Sequence, residues 1–312
     1  MKKNIHKPLS MLNGLLAITI ILINCFVLFI APWVVFNAWG LGLIMLMDII
    51  IIRLSNIHWH LIHEAAHNIL ISKRSSNEFF GKILGALFFG SFSMLRFGHF
   101  IHHRTNRISD HTDVYFDEKK PGRLYYYFDI LGGFFILYEF FITFLVLIPN
   151  KKLLSIADHF IEKTEGVPSQ DIYIRARDII NHPKKIRLIR REACLMIFVL
   201  ALSLASYSQH LGLWFGYFMI RALLASYLNN MPHYGNVIDD VNASDTTYLP
   251  RLLARCYLNF NYHKTHHLYP TAPWHVLPKL FKDDGLTYNG SYIKHYLRQL
   301  KGPIYFKKII NS

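Results

Sequence analysis

Residues 9–47 read LSMLNGLLAITIILINCFVLFIAPWVVFNAWGLGLIMLM, without a single Asp, Glu, Lys or Arg. About 20 apolar residues cross a bilayer as one helix, so this run and its continuation to Ile57 provide two crossings. Pro32 and Asn37-Ala38-Trp39-Gly40 mark the turn between them. Lys2, Lys3 and Lys7 precede the run, as basic residues do in a signal peptide. The apolar stretch is far too long for a signal peptide, however, and no A-x-A site closes it. A helical hairpin in a membrane is the reading that remains.

Composition agrees. The 312 residues are 52% hydrophobic and 17% charged, where about 45–50% and about 25% are usual. Disordered, collagen-like and solvated coiled-coil chains are thereby excluded. A second uncharged run extends from Cys194 to Ile220 and stays apolar to Leu228. Ser208-Gln209-His210-Leu211-Gly212 breaks it into limbs at about 192–208 and 211–229. A third apolar stretch, Ile130 to Ile148, carries Glu139 and the Gly132-Gly133 pair. Segment 149–191 holds ten Lys/Arg and segment 58–129 nine, whereas both hairpin turns are uncharged. By the positive-inside rule the turns face outward and the basic segments share the cytoplasmic side. A full crossing at 130–148 would separate those segments, so this stretch is expected to be re-entrant or interfacial. The expected fold is an all-α integral membrane protein with hairpins at about 9–57 and 192–229. A cytoplasmic helical region caps them, and with no internal repeat the chain 1–312 reads as one domain.

Lys plus Arg number 34 and Asp plus Glu 20, for a net charge of +14 with His neutral. The basic tail 279–312 suits anionic lipid head groups beside membrane hairpins, and no nucleic-acid partner is expected. Cys25, Cys194 and Cys256 form no CxxC pair. Thiolate zinc sites, iron–sulfur clusters and a disulfide framework are therefore excluded.

The unusual residue is histidine, 18 in all. His63-Glu64-Ala65-Ala66-His67 is HxxxH, His99-Phe-Ile-His102-His103 is HxxHH, and His263-Lys-Thr-His266-His267 is HxxHH again. Random placement gives two HxxHH copies roughly once in several hundred such chains. Positions i, i+3 and i+4 share a helix face, so each HxxHH is expected to aim three imidazoles at one place. Eight imidazoles exceed one tetrahedral zinc, and two metal ions with four or five ligands each would absorb them. All three clusters fall on the expected cytoplasmic side: two follow a hairpin, and His99 to His103 follow the amphipathic stretch 80–98. Imidazole alone does not name the metal.

The succession of hairpin, HxxxH, HxxHH, hairpin and HxxHH resembles the integral-membrane fatty acid desaturase and hydroxylase superfamily. The likeness extends to Asn259-Phe-Asn-Tyr-His263-Lys-Thr-His-His-Leu-Tyr-Pro270, with Pro273-Trp274 close behind. It implies a non-haem di-iron centre held by His63, His67, His99, His102, His103, His263, His266 and His267. Asn229-Asn230-Met231-Pro232-His233 matches a further family element, which adds His233 as a ninth ligand and Asn229 as an accessory through water. The short HxxxH box departs from the HxxxxH of many acyl-lipid members. The implied activity is oxygen-dependent desaturation of an acyl chain, with hydroxylation or ketolation of a lipid or carotenoid-like substrate as the alternative. Dioxygen is the implied co-substrate. Electrons would come from a separate ferredoxin or cytochrome b5, since no donor domain is fused. The implied location is a bacterial cytoplasmic membrane, with the boxes and both termini on the cytoplasmic side.

His63-Glu64-Ala65-Ala66-His67 also spells the HExxH zinc-peptidase signature, in which Glu64 would be the general base. That reading needs an Asp ligand in a later apolar segment, which Phe128-Asp129-Ile130 does not supply, and it leaves both HxxHH clusters unexplained. Glu64 instead reads as an acceptor orienting an imidazole N–H. A metal-transport path would place its ligands at mid-membrane between inverted repeats, which this chain lacks. His60 lies at i−3 from His63 and is a further accessory candidate. His6, His111, His159, His182, His210 and His295 read as surface or turn residues, and His275 as structural. Asp48 and Arg221 lie within the expected spans, where ionisable groups face the bundle interior.

Overall fold

The computed structural model describes residues 7–33, 54–108, 113–115, 123–133, 135–163 and 167–305. Helix α1, Ser10–Trp33, includes a π turn at Phe26–Ile30. It is inverted relative to a soluble helix. Its buried face carries Asn13, Ala17, Ile20, Asn24 and Leu28, while Met11, Leu15, Ile18, Leu22 and Trp33 are exposed. Apolar side chains outside and amides inside are what a lipid environment requires. The returning limb expected at 34–57 falls mostly at 34–53, outside the described residues, together with Asp48, His6 and His111.

Helix α2 runs over 54–66 and carries the first histidine box towards its end, with His67 just beyond it. Asn68, at φ 59°, ends it in the left-handed conformation that asparagine tolerates. Two further amides fix the exit. Asn77 donates to the Ala65 carbonyl at 2.9 Å, and Asn13 of α1 donates to the Leu70 carbonyl at 2.8 Å.

Helices α3, Arg74–Leu87, and α4, Phe92–Thr105, meet at 96°. The stretch 80–98 reads in sequence as one amphipathic unit, and the structure breaks it at Phe88–Ser91. Phe92 packs back over Gly81, where a Cβ would come within 2.4 Å of its ring. Helices α5, Arg123–Ile130, and α6, Phe135–Leu145, meet at 62°. Gly132 sits at φ 98° between them, and a Cβ there would lie 2.6 Å from the Ala222 carbonyl carbon. The 130–148 stretch is thus a bent element rather than one straight helix. Arg190 covers its end by donating to the Val146 and Ile148 carbonyls, both at 2.8 Å.

Helices α7, Asn150–Lys163, and α8, Val167–Asn181, precede α9, Pro183–Ser206, and α10, Leu211–Asn230. The last two are joined at 207–210 and tied by Trp214 Nε1 donating to Ser203 Oγ at 3.0 Å. Among the described residues, Ser10–Trp33 and Leu211–Asn230 are long and apolar enough to cross a membrane, and the two bent pairs bring the total to four if each is one span. Arg221 lies buried inside α10's packing face. It donates to the Leu87 carbonyl at 2.6 Å and Asn24 Oδ1 at 2.5 Å, and its guanidinium lies 4.8 Å from the Phe88 ring centroid. It therefore ties α1 and the α3–α4 bend to α10.

After α10 come four short helices: α11, Arg251–Cys256; α12, His263–Leu268; α13, Leu277–Asp283; and α14, Tyr292–Arg298. Two-residue parallel pairings lace this region together, with Val114–Tyr115 against Ile304–Tyr305 and Thr247–Tyr248 against Gly290–Ser291.

Candidate metal centre

The nine box and near-box histidines collect into two groups. His63, His67, His99, His103 and His266 form the first, and His102, His233, His263 and His267 the second. Within each group every candidate ligand atom lies within 4.8 Å of the others. The groups adjoin, with ring centroids 4.4 Å apart between His103 and His267.

Neither HxxHH box aims three rings at one place. His99 and His103 enter the first group and His102 the second, while His263 and His267 enter the second and His266 the first. The helix explains the division. At 3.6 residues per turn, i and i+4 differ by about 40° around the axis, whereas i+3 and i+4 differ by about 100°. Each box therefore supplies an i, i+4 pair to one group and its middle histidine to the other.

The contacts between rings have the character of converging ligands rather than hydrogen bonds. His63 and His266 Nε2 are 3.0 Å apart, His266 and His103 2.9 Å, His103 and His99 3.1 Å, and His99 and His67 2.6 Å. In the second group His263 Nε2 is 2.8 Å from His233 and 3.2 Å from His267. A ring nitrogen carries one hydrogen or one lone pair, so it serves one hydrogen bond. His99, His103, His266 and His263 each face two other nitrogens. Ligands about 2.0–2.1 Å from a shared ion stand about 3 Å from each other, which is the spacing observed. Two metal ions fit this donor set, with five and four imidazoles available.

The protonation state fits as well. Burial, reinforced by Arg96, pushes His67 down to about 3, and burial pushes His267 down to about 2. Burial first, then the neighbouring imidazoles, holds His63, His99, His263 and His266 well below the ordinary histidine range. The rings are neutral, the form that ligates metal. His233 Nδ1 faces the Ala243 carbonyl at 3.4 Å, which fixes that ring with Nε2 towards the group.

A family model described as fatty acid desaturase matches residues 37–296. The chain belongs to the fatty acid desaturase family. No curated protein and no solved structure matches it. Membership implies oxidoreductase chemistry in general and a lipid substrate in a membrane setting, and the family is known for a di-iron centre, for which the two histidine groups offer candidate ligands.

Two accessory expectations come out differently. Glu64 is buried, and its Oε2 accepts from the Trp274 backbone N–H at 3.2 Å rather than from an imidazole. Burial raises its carboxyl to about 8. His60 joins neither group and stacks on Phe260 with centroids 4.1 Å apart. Asn229 is partly buried in the last turn of α10, one turn before His233. His295, expected at the surface, is buried, with its Nε2 3.0 Å from Asp245 Oδ2.

The family-like flank acquires a structural meaning. Asn259 donates to the Trp274 carbonyl at 3.1 Å, Asn261 donates to the Thr247 carbonyl at 2.8 Å, and Trp274 Nε1 donates to Asn13 at 3.0 Å. The third box is thereby clamped to α1, to α2 through Glu64 and to the 243–248 strap. Beyond the second box, Asn106 donates to the Val241 and Ala243 carbonyls, and Arg107 forms a buried two-pronged bond to Asp113. None of these partners is adjacent in sequence, so spacing could not reveal them.

Proposed function

We propose that this chain is a membrane di-iron enzyme that uses dioxygen to desaturate the acyl chain of a fatty acid or lipid. The observation that carries the reading is the pair of adjoining all-imidazole groups, five and four rings, within a chain of this family. His63, His67, His99, His103 and His266 would hold one iron and His102, His233, His263 and His267 the other, with Asn229 as an accessory. Two irons held there supply, with dioxygen and external electrons, the oxidising power to take hydrogen from an unactivated C–H bond. The protein's own part is to fix the directions of nine imidazoles and to surround them with aromatic walls such as Phe100 and Phe260. Among the described residues no carboxylate belongs to either group, and the histidines act as ligands rather than bases.

The basic segments at 149–191, with Lys151, Lys152, Lys184, Lys185 and Arg187 exposed, suit an acidic ferredoxin or cytochrome b5 as donor. The orientation that follows places the boxes and both termini on the cytoplasmic side of a bacterial membrane. Expression in a host with simple lipids, followed by lipid mass spectrometry, tests the reaction. Loss of two hydrogens from a host lipid is the expected result. Gain of one oxygen atom would replace desaturation by hydroxylation, and a carbonyl in place of a methylene would make the enzyme a ketolase.

A further inference from the structure

A second polar assembly lies behind the second histidine group. His60, Asp245, Thr247, Asn261, His263 and Tyr292 are among the residues lining a hollow with room for water. Thr247 Oγ1, Asn261 Oδ1 and His263 Nδ1 are buried and find no hydrogen-bond partner in the protein. Three such atoms around one hollow require an explanation, because buried polar groups are otherwise nearly always satisfied. A buried ordered water typically makes about three hydrogen bonds to such groups.

Asp245 anchors the other side. Its backbone N–H donates to the Pro232 carbonyl at 2.7 Å, next to His233, and its carboxylate meets His295 at 3.0 Å. His295 Nδ1 donates to the Ser291 carbonyl at 3.2 Å, which turns Nε2 towards the Asp245 carboxylate. Gly290, at φ 148°, makes the approach possible, since a Cβ there would lie 3.0 Å from the His295 ring. Residue 290 also pairs with Thr247. The carboxylate, its histidine and the strap at 245–248 thus form one braced unit beside the hollow.

We propose that ordered water in this hollow connects His263 Nδ1 to the Asp245–His295 pair, making Asp245 and His295 positioning residues for the metal held by the second group. A carboxylate reached from the non-ligating nitrogen fixes the ring's tautomer and orientation and makes the ligating nitrogen a better donor. Thr247 and Asn261 complete the water's hydrogen bonds. This rests on the di-metal reading above.

The test is titration of the metal-free full-length chain in lipid nanodiscs with cobalt(II), followed by its visible absorption. Wild-type protein is expected to bind two ions. Asp245→Asn keeps the shape and removes the charge, so one of the two affinities is expected to fall about 10- to 100-fold while the other is unchanged. His295→Gln is expected to move the same affinity in the same direction, and Asp239→Asn, at an exposed carboxylate, to move neither. Wild-type affinity at both sites in Asp245→Asn would overturn the proposal. Fewer than two ions in the wild type would overturn the di-metal reading itself, and the proposal with it.

Thr247→Val supplies a second measurement, independent of any folding failure in Asp245→Asn. In a dry hollow, removing an unsatisfied hydroxyl raises the unfolding temperature and leaves cobalt binding untouched, which would overturn the proposal. A lowered unfolding temperature together with a weakened second site supports it.

Discussion

Glu192 offers the sharpest test of how the second histidine box is held. It sits in the basic first half of α9, yet it is buried, and three donors of the α3–α4 bend converge on its carboxylate. Ser91 Oγ lies at 2.9 Å, the Ser93 backbone N–H at 2.7 Å and Ser93 Oγ at 3.0 Å. The site is the N-terminus of α4, whose unpaired N–H groups and positive dipole end favour an anion. In Glu192→Ala the two hydroxyls can turn elsewhere, but the Ser93 N–H cannot. Leaving it buried without an acceptor costs about 1–3 kcal/mol. Losing the anion at the helix start removes up to about 2 kcal/mol more. Lys82, partly exposed and 3.9 Å away, adds little.

The sum is a loss of about 1–5 kcal/mol, whose upper part reaches the range for removing one partner of a buried charged contact. Where α4 opens locally, that speeds amide exchange over residues 92–105 by about 5-fold to several thousand-fold. Hydrogen exchange by mass spectrometry on the protein in nanodiscs reads it directly. Because α4 carries His99 and His103 for one group and His102 for the other, both bound metals should weaken together. Glu192→Gln keeps an acceptor oxygen and should show about half the effect. Unchanged exchange over 92–105 in Glu192→Ala would refute this assignment.

Three further outcomes follow. Arg221→Met strips the Arg221 donor from the Leu87 carbonyl and leaves Asn24 Oδ1 only the Tyr217 hydroxyl, so unfolding should become easier by about 1–3 kcal/mol; an unchanged denaturation midpoint would contradict it. The metal-free protein should lose stability on acidification, because burial holds His60 and His67 down at about 3, while the unfolded chain takes up those protons near the ordinary value of about 6.5. Their contribution is complete above about 6.5 and declines as pH falls towards about 3, by up to about 1.4 kcal/mol per group per pH unit. Denaturant midpoints at pH values either side of about 6.5 check the sign, and a flat or rising profile on acidification contradicts it. Glu64→Gln still offers an oxygen to the Trp274 N–H, so bound metal and lipid product should survive; abolished chemistry with intact metal would restore Glu64 as a general base.

The apolar character of α1 and α10, each long enough to cross a membrane, could be read from the sequence because long uncharged runs have few alternative homes. The eight box histidines could be read for a similar reason, since repeated spacing is a local property, whereas His233 comes only from the family resemblance. Their division between two groups could not, although it follows from the 100° step between His102 and His103 once both are known to lie on one helix. The bends were harder. Residues 80–98 look continuous in pattern, and only the packing of Phe92 over Gly81 and the carboxylate of Glu192 reveal the corner. His295 reads as a surface residue because its partner, Asp245, lies 50 positions earlier, beside a two-residue pairing that no periodicity announces. Glu64 is an acceptor, as its place in the box suggests, but its donor is the Trp274 N–H, of which an HExxH pattern says nothing.

The most direct measurement is the iron content of the purified chain, alone and with one ligand removed from each group. Two irons per chain are expected in the wild type. His266→Ala and His263→Ala are each expected to retain a single iron, and the two variants should differ in Mössbauer spectrum because different sites are emptied. One zinc and no iron in the wild type, or loss of the same site in both variants, would contradict the two-group centre.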